Sequence, residues 1–498
     1  MENGTKSLYK GNSFRYNRAA FVVSRLKAER LRRCRVCRSV GADAWKYTIK
    51  ITIMLFNTPE FVGFFLVVLM LVWWLNFWEK VVVRNILLLL ISYGFYARFH
   101  VLVPLLLLYV TLVNYAAGKV LRGGRLSSEG RFYCVSLAVI ASITPLLVLK
   151  YLPAYVEGIW LPVGLSFFTF QALSYTLDVY RGKIEEAYSL LDVSLFTAFF
   201  PTLLSGPIER ARKLVPQLRQ RFPMSWDNLV VGSQHFVWGL FKKMVIADRL
   251  APMVDGAYAQ GTAASGGTLA LAAVLYSFQI YCDFSGYASM ALGVGRMLGI
   301  KLTQNFEFPY FANSIKEFWR RWHISLTSWF TEYVYISLGG NRVSRMRWVL
   351  NISAVFLLSG IWHGATWSFV IWGGIHGILY LVEYFTGIKD KWGLYRLVVF
   401  VGVTLAWVFF RIPQSSDAML LIAKMFTGPW LPIRLYGGMT VLSLITLALL
   451  LLFLVVELFL YRGWVPRNRF VRMLAFSALL MMISIFAASS DQFVYFNF

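Results

Sequence analysis

The stretch "LLSGIWHGATWSFVIWGGIHG", residues 357–377, sets two histidines and five glycines in a run that is otherwise apolar and aromatic. Its composition suits hydrocarbon rather than water, and it falls across two expected membrane spans, 348–361 and 365–385. Outward from it the pattern repeats, with apolar runs near 61–78, 85–99, 100–118, 132–150, 161–180, 228–247, 268–291, 397–411, 438–460 and 473–490. Over 498 residues, 58% are hydrophobic, 17% aromatic and only 15% charged, outside the range of soluble domains. The expectation is an all-α polytopic membrane protein with roughly 11–12 spanning helices and no separate soluble catalytic domain. The four cysteines (Cys34, Cys37, Cys134, Cys282) are too scattered for a disulfide framework, so redox chemistry is not expected.

Clusters of Lys and Arg mark the cytoplasmic side: Lys119 to Arg131, Arg210 to Arg221, Arg342 to Arg347 and Arg462 to Arg472. Loops around 151–160, 248–267 and 412–437 are poor in both, so the signs alternate. Two stretches break the alternation. Residues 193–207, interrupted by Pro201 and Gly206-Pro207, and residues 318–340 enter and leave on the same basic side, which predicts two re-entrant segments. Irregular backbone survives at membrane depth only beside protein or a water-filled cavity, so these segments imply an internal cavity. Residues 1–53 carry thirteen Lys or Arg against three Asp or Glu, although the alternation places Met54 outside. They are expected to be a basic N-terminal extension to a single membrane domain over 54–498. Their Cys34 and Cys37 have metal-ligand spacing but no second Cys or His pair nearby, and no metal site is expected. Cytoplasmic loops account for the remaining positive charge, so nucleic acid is not an expected partner.

Ionisable residues at membrane depth are functional candidates by default. Of five histidines, three fall within 323–376. His363 lies about 22 Å along a helix from the basic loop at Arg347, with Ser359 and Trp367 at i−4 and i+4 and Gly360 and Gly364 as small flanks. An imidazole there can take a proton from a hydroxyl, the work of a general base, or simply hydrogen-bond a neighbouring helix. On the residues alone both readings stay open. His323 sits in "KEFWRRWHISLTSWF" (316–330), where Trp319 and Trp322 suit the headgroup level. Lys316, Arg320 and Arg321 there either face water or hold the phosphates of a nucleotide-containing donor. His376, roughly 220° around an ideal helix from His363, reads as structural unless Gly373-Gly374 breaks the helix. Gln279 and Asp283 share a face one turn apart, and Asp283 needs a partner, from a neighbouring cation or the His323 segment. "GVGRMLG" reads as close helix packing rather than a phosphate loop, and Asp178 reads as a partner of Arg181.

Taken together, "LPVGLSFFTFQALSYTLDVYRG" (161–182), "FFPTLLSGPIER" (199–210), "YCDFSGYASMALGVGRMLGI" (281–300), "NFEFPYFANSIKEFWRRWHISLTSWFTEYVYISLGGNR" (305–342) and "LSGIWHGATWSFVIWGGIHG" (358–377) resemble the membrane-bound O-acyltransferase family. The resemblance is to its bacterial, alginate-acetylating branch, and "VYISLGGNR" (334–342) looks more like that branch than like the D-alanyl transfer branch or the lipid- and protein-modifying eukaryotic members. It runs in family order from about residue 55 to the end and does not cover 1–53.

The resemblance implies that His363 is the essential histidine and His323 the second motif histidine. It implies a cavity through the membrane in which a cytoplasmic thioester donor, acetyl-CoA, meets a hydroxyl acceptor. Acyl transfer there would need oxyanion donors, for which nearby Trp indoles or backbone amides are candidates, and Trp362 is a candidate cavity residue. No permanently bound cofactor is implied. The expected partners are membrane lipid, extracytoplasmic acetyl-transfer proteins and a polysaccharide acceptor such as alginate, and the expected place is the inner (cytoplasmic) membrane of a bacterium. Two other classes stay open: a transporter or flippase of an acylated or lipid-linked sugar, and a non-catalytic scaffold of a polysaccharide-export complex.

Overall fold

Over its described residues each expected apolar run contains a helix, and several of the helices open at a side-chain cap. The computed structural model describes residues 54–100, 102–152, 161–388, 393–435, 440–464 and 468–488. The basic stretch 1–53, with Cys34 and Cys37, lies outside the described residues. From Met54 onward the chain forms one compact unit.

Helix α1 (Pro59–Phe77) begins with Thr58 accepting a hydrogen bond from the Phe61 amide, and with proline at its first position. α2 (Val81–Ala97) and α3 (Val103–Arg122) follow. In α4 (Ser128–Tyr151), Ser127 caps the amide of Gly130. After α5 (Leu165–Tyr180) come α6 (Leu190–Ala198), opened by a Ser189–Asp192 capping box, and the single turn α7 (Phe200–Leu203). The chain continues through α8 (Ala211–Leu218), α9 (Trp226–Leu240), α10 (Asp248–Ala259), α11 (Gly266–Met297), α12 (Ile315–Arg321), α13 (Ile324–Phe330), α14 (Arg345–His363), α15 (Trp367–Thr386), α16 (Leu394–Arg411), α17 (Ser415–Thr427), α18 (Val441–Tyr461) and α19 (Arg469–Phe486). The described residues contain no strand.

Seven of these helices, α1, α3, α4, α11, α15, α16 and α18, are long and apolar enough to cross a bilayer. The other expected spans are shorter, as in α2, α5, α9 and α19, or carry polar residues, as in α14 with Asn351, Ser359 and His363. The chain is a multi-pass membrane protein. α11, 32 residues and about 48 Å long, is its central post, with 78% of its most apolar window buried.

Glycine decides how α9 meets α11. A Cβ on Gly239 would stand 2.5 Å from the Gly286 oxygen, and one on Gly293 would stand 2.6 Å from the Gly232 oxygen. The two backbones therefore touch at two levels, as small-residue interfaces in membranes do. Gly293 belongs to the GVGRMLG stretch, so its glycines are packing surfaces.

The two stretches that broke the charge alternation are short helices joined by irregular backbone. All residues from Asp192 to Ala211 are buried, including the bend between α6 and α7 at Phe199. The second stretch runs through α12, α13 and a π-helical turn, Thr331–Tyr335. His323 joins α12 to α13 with φ +44°, a left-handed backbone that a non-glycine residue holds only when its surroundings impose it.

Candidate active site

α14 ends at His363, because Gly364 is extended (φ −175°) and a side chain there would run into the Phe369 ring. His363 is buried, with ring centroids 4.7 Å from Trp362, 5.0 Å from Trp372 and 5.1 Å from Phe410. Trp362 also contacts the second histidine, at 6.3 Å from His323. Asn305 places His323: its side-chain oxygen lies 3.1 Å from His323 Nδ1 and accepts from the Ser325 amide (3.1 Å) and hydroxyl (2.9 Å). Its backbone oxygen accepts from the Ile324 amide at 2.9 Å. Phe284 packs edge-on to the His323 ring at 4.6 Å.

Two openings lie along α14. A wide groove begins beside Arg345, Lys316 and Gly387 and narrows inward past Tyr335 and Tyr380; its outer part measures about 910 Å³ and its inner part about 500 Å³. Along α14 it is lined by Trp348, Ile352, Val355 and Ser359, spaced four, three and four residues apart. One more step of four is His363. The groove thus follows a single helix face for about 16 Å, and His363 is the next position on that face. At the other end lies a narrow cavity of about 30 Å³, bounded by Lys150, Ser166, Phe167, Leu204, Ser205, Trp362 and His363.

The structure sorts the expected site residues. His363, His323, Trp362 and Ser359 are brought together, and Trp319 and Arg320 line the groove. Arg321 turns elsewhere: it pairs with Glu317 at 2.7 Å and lies over Tyr461. Trp322 is core, packed at 4.9 Å on Trp407 and 5.0 Å on Phe306. Trp367 is 75% exposed, because the helix stops at His363 and the i+4 relation that would have stacked the two does not exist. Gln279 and Asp283 line neither opening. The Asp283 partner is a cation: Lys243, in a π-helical turn over Phe241–Ala247, binds Asp283 at 2.6 Å and Asp248 at 2.8 Å. His376 lies on an unbroken α15 and touches Trp372 at 5.1 Å, so one indole separates it from His363.

Asp178 does not pair with Arg181. It accepts from Arg212 and, at 2.8 Å, from the Tyr333 hydroxyl. Arg181 instead donates to the Glu332 backbone oxygen at 2.6 Å. The Glu332 carboxylate collects Lys183 (2.6 Å), Arg210 (3.2 Å) and Arg212 (2.6 Å), clamping the 318–340 stretch to the 182–212 loops. Burial opposes the charge, but the Lys183 hydrogen bond and the Arg212 and Arg210 charges outweigh it and hold Glu332 down at about 2.

Reading the sequence missed Lys150 and Asn305. Lys150 had a signal, an ionisable residue closing an apolar run; Asn305 opens the 305–342 stretch that carries the resemblance, but nothing local marked it as the partner of His323.

Residues 88–387 match the family model of the membrane-bound O-acyltransferase family. The chain is 36% identical over 403 residues to a probable alginate O-acetylase of Pseudomonas aeruginosa, covering 76% of each chain. It is 34% identical over 428 residues to a peptidoglycan O-acetyltransferase of Helicobacter pylori, covering 76% of this chain and 80% of that one. A teichoic acid D-alanyltransferase of Bacillus subtilis matches at 30% over 275 residues, 51% of this chain and 68% of its own.

Proposed function

The chain belongs to the membrane-bound O-acyltransferase family, and on that premise we propose that it moves acetyl from cytoplasmic acetyl-CoA to hydroxyls of an extracytoplasmic polysaccharide. The acetylating relatives support the acetyl group and a glycan acceptor, alginate or another cell-surface polymer. The chain works in a bacterial inner membrane, through partner proteins that carry acetyl onward to the polymer. Residues 1–53 stand outside this working unit.

The observation that carries this reading is the position of His363, which lines a narrow cavity at one end of α14 and lies one helical turn beyond Ser359, the innermost α14 residue of the wide groove that opens at the basic face. The donor lies along the groove with its phosphates toward Lys316, Arg320 and Arg345 and its thioester at His363. His363 removes the acceptor hydroxyl proton as the oxygen attacks the carbonyl carbon. A C–O bond forms and the carbonyl oxygen becomes an oxyanion. When it collapses the C–S bond breaks, the thiolate leaves and takes the proton back from His363, and ester and thiol result. His323, held by Asn305 beside Trp362, orients the groups on the inner side of the site.

Release of free CoA and transfer of label from radiolabelled acetyl-CoA, by protein in nanodiscs with exopolysaccharide and membrane extract supplied, tests the reading. Wild type is expected to transfer label, while His363→Ala inserts normally and transfers none. Turnover that survives in His363→Ala removes the base from the mechanism. Absence of turnover in both returns the transporter and scaffold readings.

A further inference from the structure

The groove explains how a donor arrives; the small cavity beyond His363 has no role yet. Its walls come from the end of α4, the turn into α5, the α7 region and the end of α14. At about 30 Å³ it offers roughly two to three times the ~10–15 Å³ that one water requires, a size that suits a short acyl group. The wall cannot easily retreat. Gly164 in the turn has φ +82°, and a Cβ on it would stand 2.4 Å from the Leu203 oxygen, so turn and helix already touch backbone to backbone.

Three donors belong to residues that line this space. The Lys150 ammonium donates to the Trp362 carbonyl and lies 5.3 Å from the Trp362 ring. An ammonium has three donors, and the other two have no partner among the described residues. Among the described residues, the hydroxyl of Ser205, 1% exposed, has no hydrogen-bond partner, and the same holds for the Trp362 indole N–H. Buried donors are ordinarily satisfied, and each exception calls for an explanation. A positive charge and two N–H or O–H groups beside a general base are the furnishings of an oxyanion site.

Resting on the acyl-transfer reading, we propose that this cavity is the acetyl subsite, with Lys150, Ser205 and the Trp362 indole donating to the developing oxyanion and the Leu204 wall excluding longer acyl groups. The acetyl carbonyl oxygen points to Lys150 and the methyl to Leu204. Negative charge appears on that oxygen as the acceptor C–O bond forms, and it returns to the carbonyl as the C–S bond breaks.

Lys150 also caps the α14 C-terminus, where helix carbonyls lack partners, and Tyr151 does the same for the Ile361 oxygen. Tyr151→Phe therefore serves as the capping control. In nanodiscs, Lys150→Met is expected to lower kcat about 10²-fold with KM for acetyl-CoA within threefold, while Tyr151→Phe keeps kcat within threefold. Lys150→Arg is expected to recover part of the loss, and size-exclusion profiles report whether each variant folds. Wild type is expected to turn over acetyl-CoA at least tenfold faster than butyryl-CoA, and Leu204→Ala to narrow that ratio. Equal losses in Lys150→Met and Tyr151→Phe reduce Lys150 to a cap and overturn the proposal, as does a wild type indifferent to chain length. Either outcome leaves His363-dependent transfer standing, whereas absence of transfer in wild type sinks the parent reading itself.

Discussion

Gly360 sits one turn before His363, where α14 and α15 approach most closely. A Cβ built on it lies 2.3 Å from the Phe369 carbonyl oxygen, whereas ordinary contact begins at 3.4 Å. Gly360→Ala must therefore push the helices about 1.1 Å apart, since the obstruction is backbone and has no rotamer to escape into. The neighbouring crossing point is just as tight, with a Cβ on Gly373 2.4 Å from the Phe356 oxygen, so the pair cannot pivot around it. Overpacking of this kind costs about 1–3 kcal/mol of stability. The displacement falls on the last turn of α14, which carries His363, and a misplacement of about 1 Å costs on the order of 10²-fold in rate. The assay is kcat for label transfer in nanodiscs beside a thermal melt, with Gly374→Ala as control. A Cβ at Gly374 meets only Leu357 Cδ2 at 3.9 Å, so that variant should keep its activity and melt no lower than wild type. A Gly360→Ala enzyme with kcat within threefold of wild type would refute the claim that this contact positions the histidine.

Asn305→Ala removes the oxygen that holds His323 and Ser325; we expect a loss of about 1–3 kcal/mol in stability and a fall in kcat larger than the change in KM, measured by melting and steady-state kinetics. Glu332→Gln tests the clamp at the loops. Because folding depresses the Glu332 pKa to about 2, its stabilisation is complete above the unfolded value of about 4.5 and is lost as pH falls from there toward 2. The wild-type melt should thus be flat in this contribution from pH 5 to 8 and drop in acid, and the variant should start lower with a shallower acid limb. Asp283→Leu removes one of the two carboxylates that Lys243 binds, and breaking such a buried pair costs about 3–5 kcal/mol, while the KM for acetyl-CoA should stay unchanged because Asp283 lines neither opening.

The element pattern was legible because membrane helices are written locally. An apolar run must satisfy its own backbone in hydrocarbon, so the stretches around 348–361 and 365–385 could be little else than the helices α14 and α15. The pairing of His363 with His323 was legible through the resemblance, and the step from Ser359 to His363 through helical periodicity. Trp367 shows where periodicity misled. It was placed one turn past His363, but Gly364 ended the helix and the indole emerged on the outer surface.

Polar partners were far less legible. Asp178 had Arg181 three residues away and chose Arg212, because the fold carries Arg181 to Glu332. Asp283 found Lys243, forty residues back, through a π-helical turn that no local pattern announces. Lys150 reached the carbonyl of Trp362, 212 residues on. The sequence by itself determined a multi-pass helical protein and singled out His363 and His323 as candidates, since hydropathy and short motifs act through neighbours along the chain. Only the tertiary structure decided which charges meet and which side chains border each opening. Those choices follow from how helices distant in the chain pack, and a buried polar group takes whichever partner that packing brings within a hydrogen bond.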